Sequence, residues 1–131
     1  MRPLPHLALL ALVLLSGASP AADAEAAAAG PGETERGATL FARHCKVCHG
    51  EGGEGDGMLA AHLKVPPGDL TEPERMGRRS DEDLLAVVRD GGPARELSSV
   101  MTAFGDRLDA QQLADVVAFV RALSRTPEPG D

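Results

Sequence analysis

Three stretches of the 131-residue chain place apolar residues along one side of a helix, and no stretch alternates apolar with polar residues as a half-buried strand does. The first runs from about Thr34 to His49. Ala38, Leu40 and Phe41 are among its apolar positions, and Gly37 leaves a notch where a second helix can come close. The second runs from about Ser80 to Asp90: Ser80 followed three residues on by Asp83 resembles a capping box, and Gly91-Gly92 ends it. Leu84, Leu85, Val87 and Val88 form its inner face. The third starts near Asp109, with Gln112 at the box position, and carries Leu113, Val116, Val117, Val120 and Leu123 at i, i+3, i+4, i+7 and i+10. A short helical turn is expected within 58–64, and fraying over 126–131, where Pro127 and Pro129 sit. The pattern predicts an all-α domain over residues 34–125, three main helices joined by long loops.

Ahead of this domain the pattern changes. Arg2 precedes an unbroken apolar run from Leu7 to Leu15, and small residues follow from Ser16 to Ala22. A charged start, a short apolar stretch and small residues at a cut are the three parts of a secretory signal peptide. The run is too short to cover the roughly 30 Å hydrocarbon core, so residues 1–22 are expected to be removed and to leave no stable membrane span. Residues 23–33, rich in Ala with Gly30, Pro31 and Gly32, then read as a flexible leader. The expected location is the bacterial periplasm.

Composition changes what the core can be made of. Apolar residues are 43% of the chain, yet only three are Phe and none is Trp or Tyr, so little large flat surface is on offer for burial. A group other than aromatic side chains is expected to fill the middle. The net charge of −7 argues against a nucleic-acid surface, which needs a basic stripe to neutralise phosphates.

That group has an attachment point in the sequence. The two cysteines occur as Cys45-Lys46-Val47-Cys48 and are followed directly by His49. In C-x-x-C-H, two thiols on one face of a short helical segment can add across the two vinyl groups of haem while the imidazole reaches the iron. A thioredoxin-like redox pair would want a βαβ surround and an exposed, acidic thiol. Structural zinc would want four ligands. Gly50-Glu51-Gly52-Gly53-Glu54-Gly55 formally satisfies the dinucleotide fingerprint G-x-G-x-x-G, but no strand precedes it, and Glu51, Glu54 and Asp56 bring the wrong charge to a pyrophosphate. These glycines are read instead as letting the backbone turn tightly and pass close to the cofactor. Haem burial should supply a large share of stability.

With His49 as one axial ligand, the opposite position of the iron could be taken by Met58, Met76, Met101, His44, His62 or Lys64. Met101 is the first choice because it lies in a loop between two predicted helices, where the chain can fold back over the far haem face, with Val100 and Phe104 as shields. A thioether is a soft neutral donor that favours ferrous iron and raises the potential. His62 is the rival, and His44 lies too near His49 to reach the far side.

With Cys45, Cys48, His49 and Met101 in place, residues 34–125 resemble the small class I c-type cytochromes, particularly bacterial mono-haem ones and the cytochrome modules of respiratory oxidases. Further matching elements are Gly37 and Phe41, Gly50, Gly55-Asp56-Gly57, Pro67-Gly68-Asp69-Leu70-Thr71, Phe104-Gly105 and Phe119. The resemblance implies a cytochrome c-like fold wrapped around one covalently bound haem c. It implies a crossing of the first and last helices with Gly37 against Phe119, and a carbonyl of Pro67, or else Pro66, accepting a hydrogen bond from the His49 imidazole. One departure stands out: family members commonly have Pro directly after the ligand Met, and here Thr102 follows Met101. Arg75, Arg78, Arg79 and Arg95 are the candidate partners of the haem propionates.

The reading that follows is an electron-transfer protein rather than an enzyme, an acidic one-electron carrier meeting redox donor and acceptor proteins whose docking faces are basic. The alternatives are a haem subunit fixed in a dehydrogenase or oxidase complex, and a haem sensor or peroxidase-like protein with a displaceable sixth ligand.

Overall fold

The computed structural model describes residues 29–95, 97, 98 and 100–125. The expected signal segment 1–22, most of the 23–33 leader and the tail 126–131 lie outside the described residues. The order is α1 (Thr34–His44), α2 (Lys46–His49), a 3₁₀ turn (Ala60–His62), α3 (Pro73–Gly77), α4 (Asp81–Asp90), a second 3₁₀ turn (Pro93–Arg95) and α5 (Ala110–Leu123). The fold is helical, with no strand among the described residues. No described helix is long and apolar enough to cross a membrane.

The two capping boxes form as their sequences require. Ser80 Oγ accepts from Asp83 N–H while the Asp83 carboxylate accepts from Ser80 N–H, and Asp109 and Gln112 do the same for α5. The α5 stripe is buried at Leu113, Val116, Val117 and Val120, with Leu123 packed at the edge of the core. On α4 the buried residues are Leu84, Ala86 and Val87, while Leu85 and Val88 are only partly covered.

Two features depart from the expected pattern of three helices. The first helix breaks at Cys45, whose backbone (φ −116°, ψ −34°) leaves the regular path and starts a separate turn, α2. A short helix, α3, also forms between the long loops. Its start is Glu72-Pro73, with Pro at the first helical positions where its missing N–H costs nothing, and it buries Met76 to 2% exposure. Five residues are too few to show a periodic stripe.

The backbone of the domain is the crossing of α1 over α5. A Cβ on Gly37 would lie 2.8 Å from the Phe119 Cβ and overlap the Asp115 carbonyl oxygen, so the two helices touch at a point only glycine permits. Phe41, one turn on, packs its ring 5.1 Å from that of Phe119. An ion pair locks the same crossing. Asp115 is buried (1% exposed) on the opposite side of α5 from solvent. Its carboxylate accepts from Arg36 Nε (2.8 Å) and Nη2 (3.2 Å), from Glu33 N–H (2.7 Å) and from Gln111 Nε2 (3.0 Å). These bonds, the Arg36 side chain foremost, hold the Asp115 carboxyl down at about 2 against the opposing cost of burial. The end of the leader is held here too: Gly30 N–H donates to Gln111 Oε1 (2.7 Å), and Gln111 Nε2 also donates to the Pro31 carbonyl (3.2 Å). Residues 29–33 therefore lie along α5 rather than running free of it.

Candidate functional site

The site starts where α1 ends. Cys45 N–H donates to Phe41 O (2.8 Å), His49 N–H to Cys45 O (2.9 Å) and Gly50 N–H to Lys46 O (2.9 Å), so C-x-x-C-H is folded as one helical turn. Spacing i, i+3 puts Cys45 and Cys48 on one face of that turn. Both are partly buried, and neither is in a disulfide. Burial, with Cys48 alongside, pushes the Cys45 thiol up to about 11, the opposite of the acidic thiol that a redox dithiol uses. Zinc fares no better, since no group of three or more His, Cys, Asp or Glu among the described residues is placed to hold a metal ion.

His49 follows on the same turn, its ring centroid 6.3 Å from that of Phe41. Burial lowers its pKa, so the imidazole is neutral and keeps a lone pair free for a metal. Its Nδ1 is buried without a hydrogen-bond partner. A buried, unpaired ring nitrogen costs about 1–3 kcal/mol unless something completes the site.

The glycine-rich loop folds back over this turn. Gly55 N–H donates to His49 O (2.8 Å), Gly57 N–H to Cys48 O (3.1 Å) and Leu59 N–H to Val47 O (2.9 Å), which satisfies carbonyls left open at the end of a four-residue helix. Gly55 sits at φ 83°, and a Cβ there would come within 2.5 Å of the Pro67 carbonyl oxygen. Pro67 O therefore lies against a residue bonded to the His49 backbone. Leu70 N–H donates to Gly53 O (2.8 Å), which lays the 67–70 segment along the loop. Asp69 accepts from Thr71 Oγ1 (2.6 Å) and N–H (2.8 Å), and these bonds hold its carboxyl below the usual range.

Met101 is half-buried in the loop between α4 and α5. Gly92 N–H donates to its carbonyl (3.1 Å), and beyond it Phe104 N–H donates to Val88 O (3.0 Å) and Gly105 N–H to Arg89 O (2.9 Å). The loop thus caps the last carbonyls of α4, and its course is set by that helix. Of the two residues expected to shield Met101, Phe104 is buried and Val100 is 55% exposed. The other sulfur and nitrogen candidates are dispersed. Met76 is in the core and Met58 is 82% exposed, while His62 and Lys64 are exposed on and after the 3₁₀ turn. His44 packs edge-on against Phe104. Arg75, Arg78 and Arg79 line a surface depression of about 450 Å³ with Glu72 and Asp83, and Arg75 is paired with Glu72 (3.0 Å).

The sequence did not single out Asp115 or Arg121. Arg121 Nη1 donates to Met76 O (2.6 Å), Nη2 to Arg79 O and Nε to Asp81 Oδ1 (2.5 Å), tying α3 and the start of α4 to α5. The one signal for Asp115 was Gln111 four residues earlier on the same helix face. Arg121 bonds mainly to carbonyls, which leave no trace in side-chain pattern.

Two unpaired thiols on one face, with a partly buried, neutral imidazole beside them whose Nδ1 has no partner, form a donor set that fits haem attachment. Comparison with known proteins agrees in kind. The cytochrome c family model matches residues 34–124. The chain is 33% identical over 94 residues to the gluconate 2-dehydrogenase cytochrome c subunit of Pantoea cypripedii, covering 68% of this chain but only 20% of that protein. It is 31% identical over 88 residues to cytochrome c6 of Nostoc sp., covering 67% of this chain and 68% of that one. Among solved structures, the KustC0563 c-type cytochrome superposes with a TM-score of 0.56 at 26% identity, over 68% of this chain and 98% of its own. The Kuenenia stuttgartiensis reducing HAO-like protein complex Kustc0457/Kustc0458 contains a chain that superposes with a TM-score of 0.56 at 29% identity, over 74% of this chain and 47% of that one. Family membership implies a covalently bound haem c and an electron-transfer role, and the chain is a class I c-type cytochrome.

Proposed function

We propose that the chain is a periplasmic one-electron carrier with one haem c, joined through thioethers at Cys45 and Cys48, with His49 and Met101 as axial ligands. Bound haem supplies an iron that takes up and releases a single electron, with no substrate bond made or broken. Everything else falls to the polypeptide. Cys45 and Cys48, half-buried on one helical face, fix the group at two points, and His49 presents a nitrogen that burial keeps unprotonated. His49 Nδ1 has no partner in this structure, and the Pro67 carbonyl, which lies against Gly55, is the group we assign to accept from Nδ1–H once haem is held, a bond that would orient the ring and raise its basicity as a ligand. Met101 supplies a soft donor that favours the reduced state, on a loop whose backbone is pinned to α4.

The observation that carries this reading is the C-x-x-C-H turn itself, with both thiols unpaired and the His49 Nδ1 buried without a partner. Its test is the absorption spectrum of ferric and ferrous protein with and without Met101→Ala. The wild type should show the long-wavelength sulfur-to-iron band and the variant should lose it. A band that survives would move the ligand to Met58 or Met76. Pigment extracted freely by acidified solvent would refute the thioether attachment.

A second reading has its own support, because one relative is a subunit of gluconate 2-dehydrogenase. There the residues act identically but the chain stays fixed in an assembly. Stoichiometric co-purification with a dehydrogenase would favour it over free diffusion between partners.

A further inference from the structure

We propose that His44 is a positioning residue for the sixth ligand, holding the Met101 loop against the haem-attachment segment through the ring of Phe104. The inference rests on Met101 being that ligand. His44 is the last residue of α1 and directly precedes Cys45. Its ring meets that of Phe104 in an edge-to-face arrangement, 5.9 Å between centroids at 64°. On Phe104 a cation also bears, with the Arg107 guanidinium carbon 5.6 Å from the ring centroid. Phe104 itself is 8% exposed and fixed by its N–H bond to Val88 O.

The need for such a contact comes from Thr102. A proline at this position would fix φ of the residue next to the ligand. With Thr102 there, that restraint is missing, and among the described residues the loop's backbone bonds toward the end of α4 are those at Gly92, Phe104 and Gly105. None of those bonds reaches the attachment segment. The His44–Phe104 pair does, joining the residue before the first haem cysteine to a residue three positions after Met101.

An edge-to-face pair is worth roughly twofold to tenfold in the equilibrium between two states of a loop. Removing it should raise the population with Met101 off the iron by that factor. The apparent affinity of an external ligand that competes for the same position rises in proportion. The measurement is an optical titration of ferric holoprotein with imidazole, in which the iron–sulfur bond breaks and an iron–nitrogen bond forms. His44→Ala should bind imidazole roughly twofold to tenfold more tightly than wild type, with a weaker sulfur-to-iron band, and Phe104→Leu should do the same. His44→Phe, which keeps a ring at the contact, should retain the wild-type affinity. Arg121→Ala, which loosens the fold elsewhere, should lower the melting temperature without moving the imidazole affinity. Unchanged affinity in both His44→Ala and Phe104→Leu would overturn the inference, as would equal tightening in Arg121→Ala or a His44→Phe variant that behaves like His44→Ala. If His44→Ala yields no holoprotein, Phe104→Leu decides alone. A wild-type spectrum without the sulfur-to-iron band would instead remove the Met101 reading, and this inference with it.

Discussion

The buried carboxylate of Asp115 makes the stability of the α1–α5 crossing depend on pH in a way that can be worked through. Its native pKa of about 2 lies below the ordinary 3.8, and the causes are the bonds from Arg36, Glu33 and Gln111. At about 1.4 kcal/mol per pKa unit the difference corresponds to about 2 kcal/mol. Arg36 is half exposed, so screening reduces the contribution to about 1–2 kcal/mol. Because the folded state holds this group more acidic than the unfolded state does, the stabilisation is complete above about pH 4 and disappears as pH falls through about 2. Asp115→Asn removes the titration. It also turns an amide N–H₂ toward donors that Asp115 accepts from, so the variant should be about 2–3 kcal/mol less stable than wild type at about pH 6. Urea unfolding of holoprotein, followed by far-ultraviolet circular dichroism at several values from about pH 6 down to about pH 2, measures the gap at each pH. The gap should narrow by about 1–2 kcal/mol between about pH 4 and 2, since other shifted carboxylates such as Asp83 and Asp90 titrate in both proteins. A gap that stays constant over that interval, or a variant as stable as wild type near neutrality, would show that Asp115 is not the ion-paired acid described above.

Other substitutions probe separate joints. Gly37→Val drives side-chain atoms into Phe119 and the Asp115 carbonyl, so the helices must separate; a loss of about 3 kcal/mol is expected, read as a melting-temperature drop of more than about 10 °C. Arg121→Ala leaves the Met76 and Arg79 carbonyls without their donor and should cost about 2–3 kcal/mol in urea titrations while leaving the haem spectrum unchanged. The Cys45→Ser/Cys48→Ser protein, unable to form thioethers, should lose most of its helical circular dichroism, and full retention would show that the core does not depend on haem. Reduction rates with a basic-faced redox partner should fall as ionic strength rises, given the net charge of −7, and stopped-flow measurement at two salt concentrations checks the sign.

Elements whose signal is local can be read from the residues alone. The boxes at Ser80 and Asp109 fix where α4 and α5 begin because a capping side chain acts within three residues, and the α5 stripe fixes its buried face because fourteen residues span several periods. The break at Cys45 is not legible in this way. The residues on either side of it are ordinary helix formers, and the turn is held by bonds from Gly55, Gly57 and Leu59, which arrive from a loop with no periodicity. Likewise α3 is set by a tertiary partner, Arg121, more than forty residues away. For the candidate site, C-x-x-C-H announces itself because haem attachment demands a fixed order of residues. The company of Met101 does not, since Val100 and Phe104 look equally apolar in sequence and only packing buries one and exposes the other.

The scarcity of aromatic residues has a consequence that the packing makes explicit. With three Phe in the chain, ring contacts occur at few places, and those observed share α1 or the turn that follows it. Phe41 meets Phe119 of α5 and His49 of α2, while Phe104 of the Met101 loop meets His44. Phe41 and His44 are three residues apart and so project from neighbouring positions of one helix. That single helix end therefore joins the α5 crossing, the C-x-x-C-H turn and the Met101 loop, the three parts on which the proposed haem site depends. Aromatic rings suit the task because they bring large area with few rotatable bonds, so little conformational entropy is lost for each unit of surface they cover. Perturbing the last turn of α1 should consequently be felt at both axial positions together. A change confined to α4, by contrast, should reach only the Met101 side, because α4 holds that loop through backbone bonds and makes no aromatic contact with the attachment turn among the described residues.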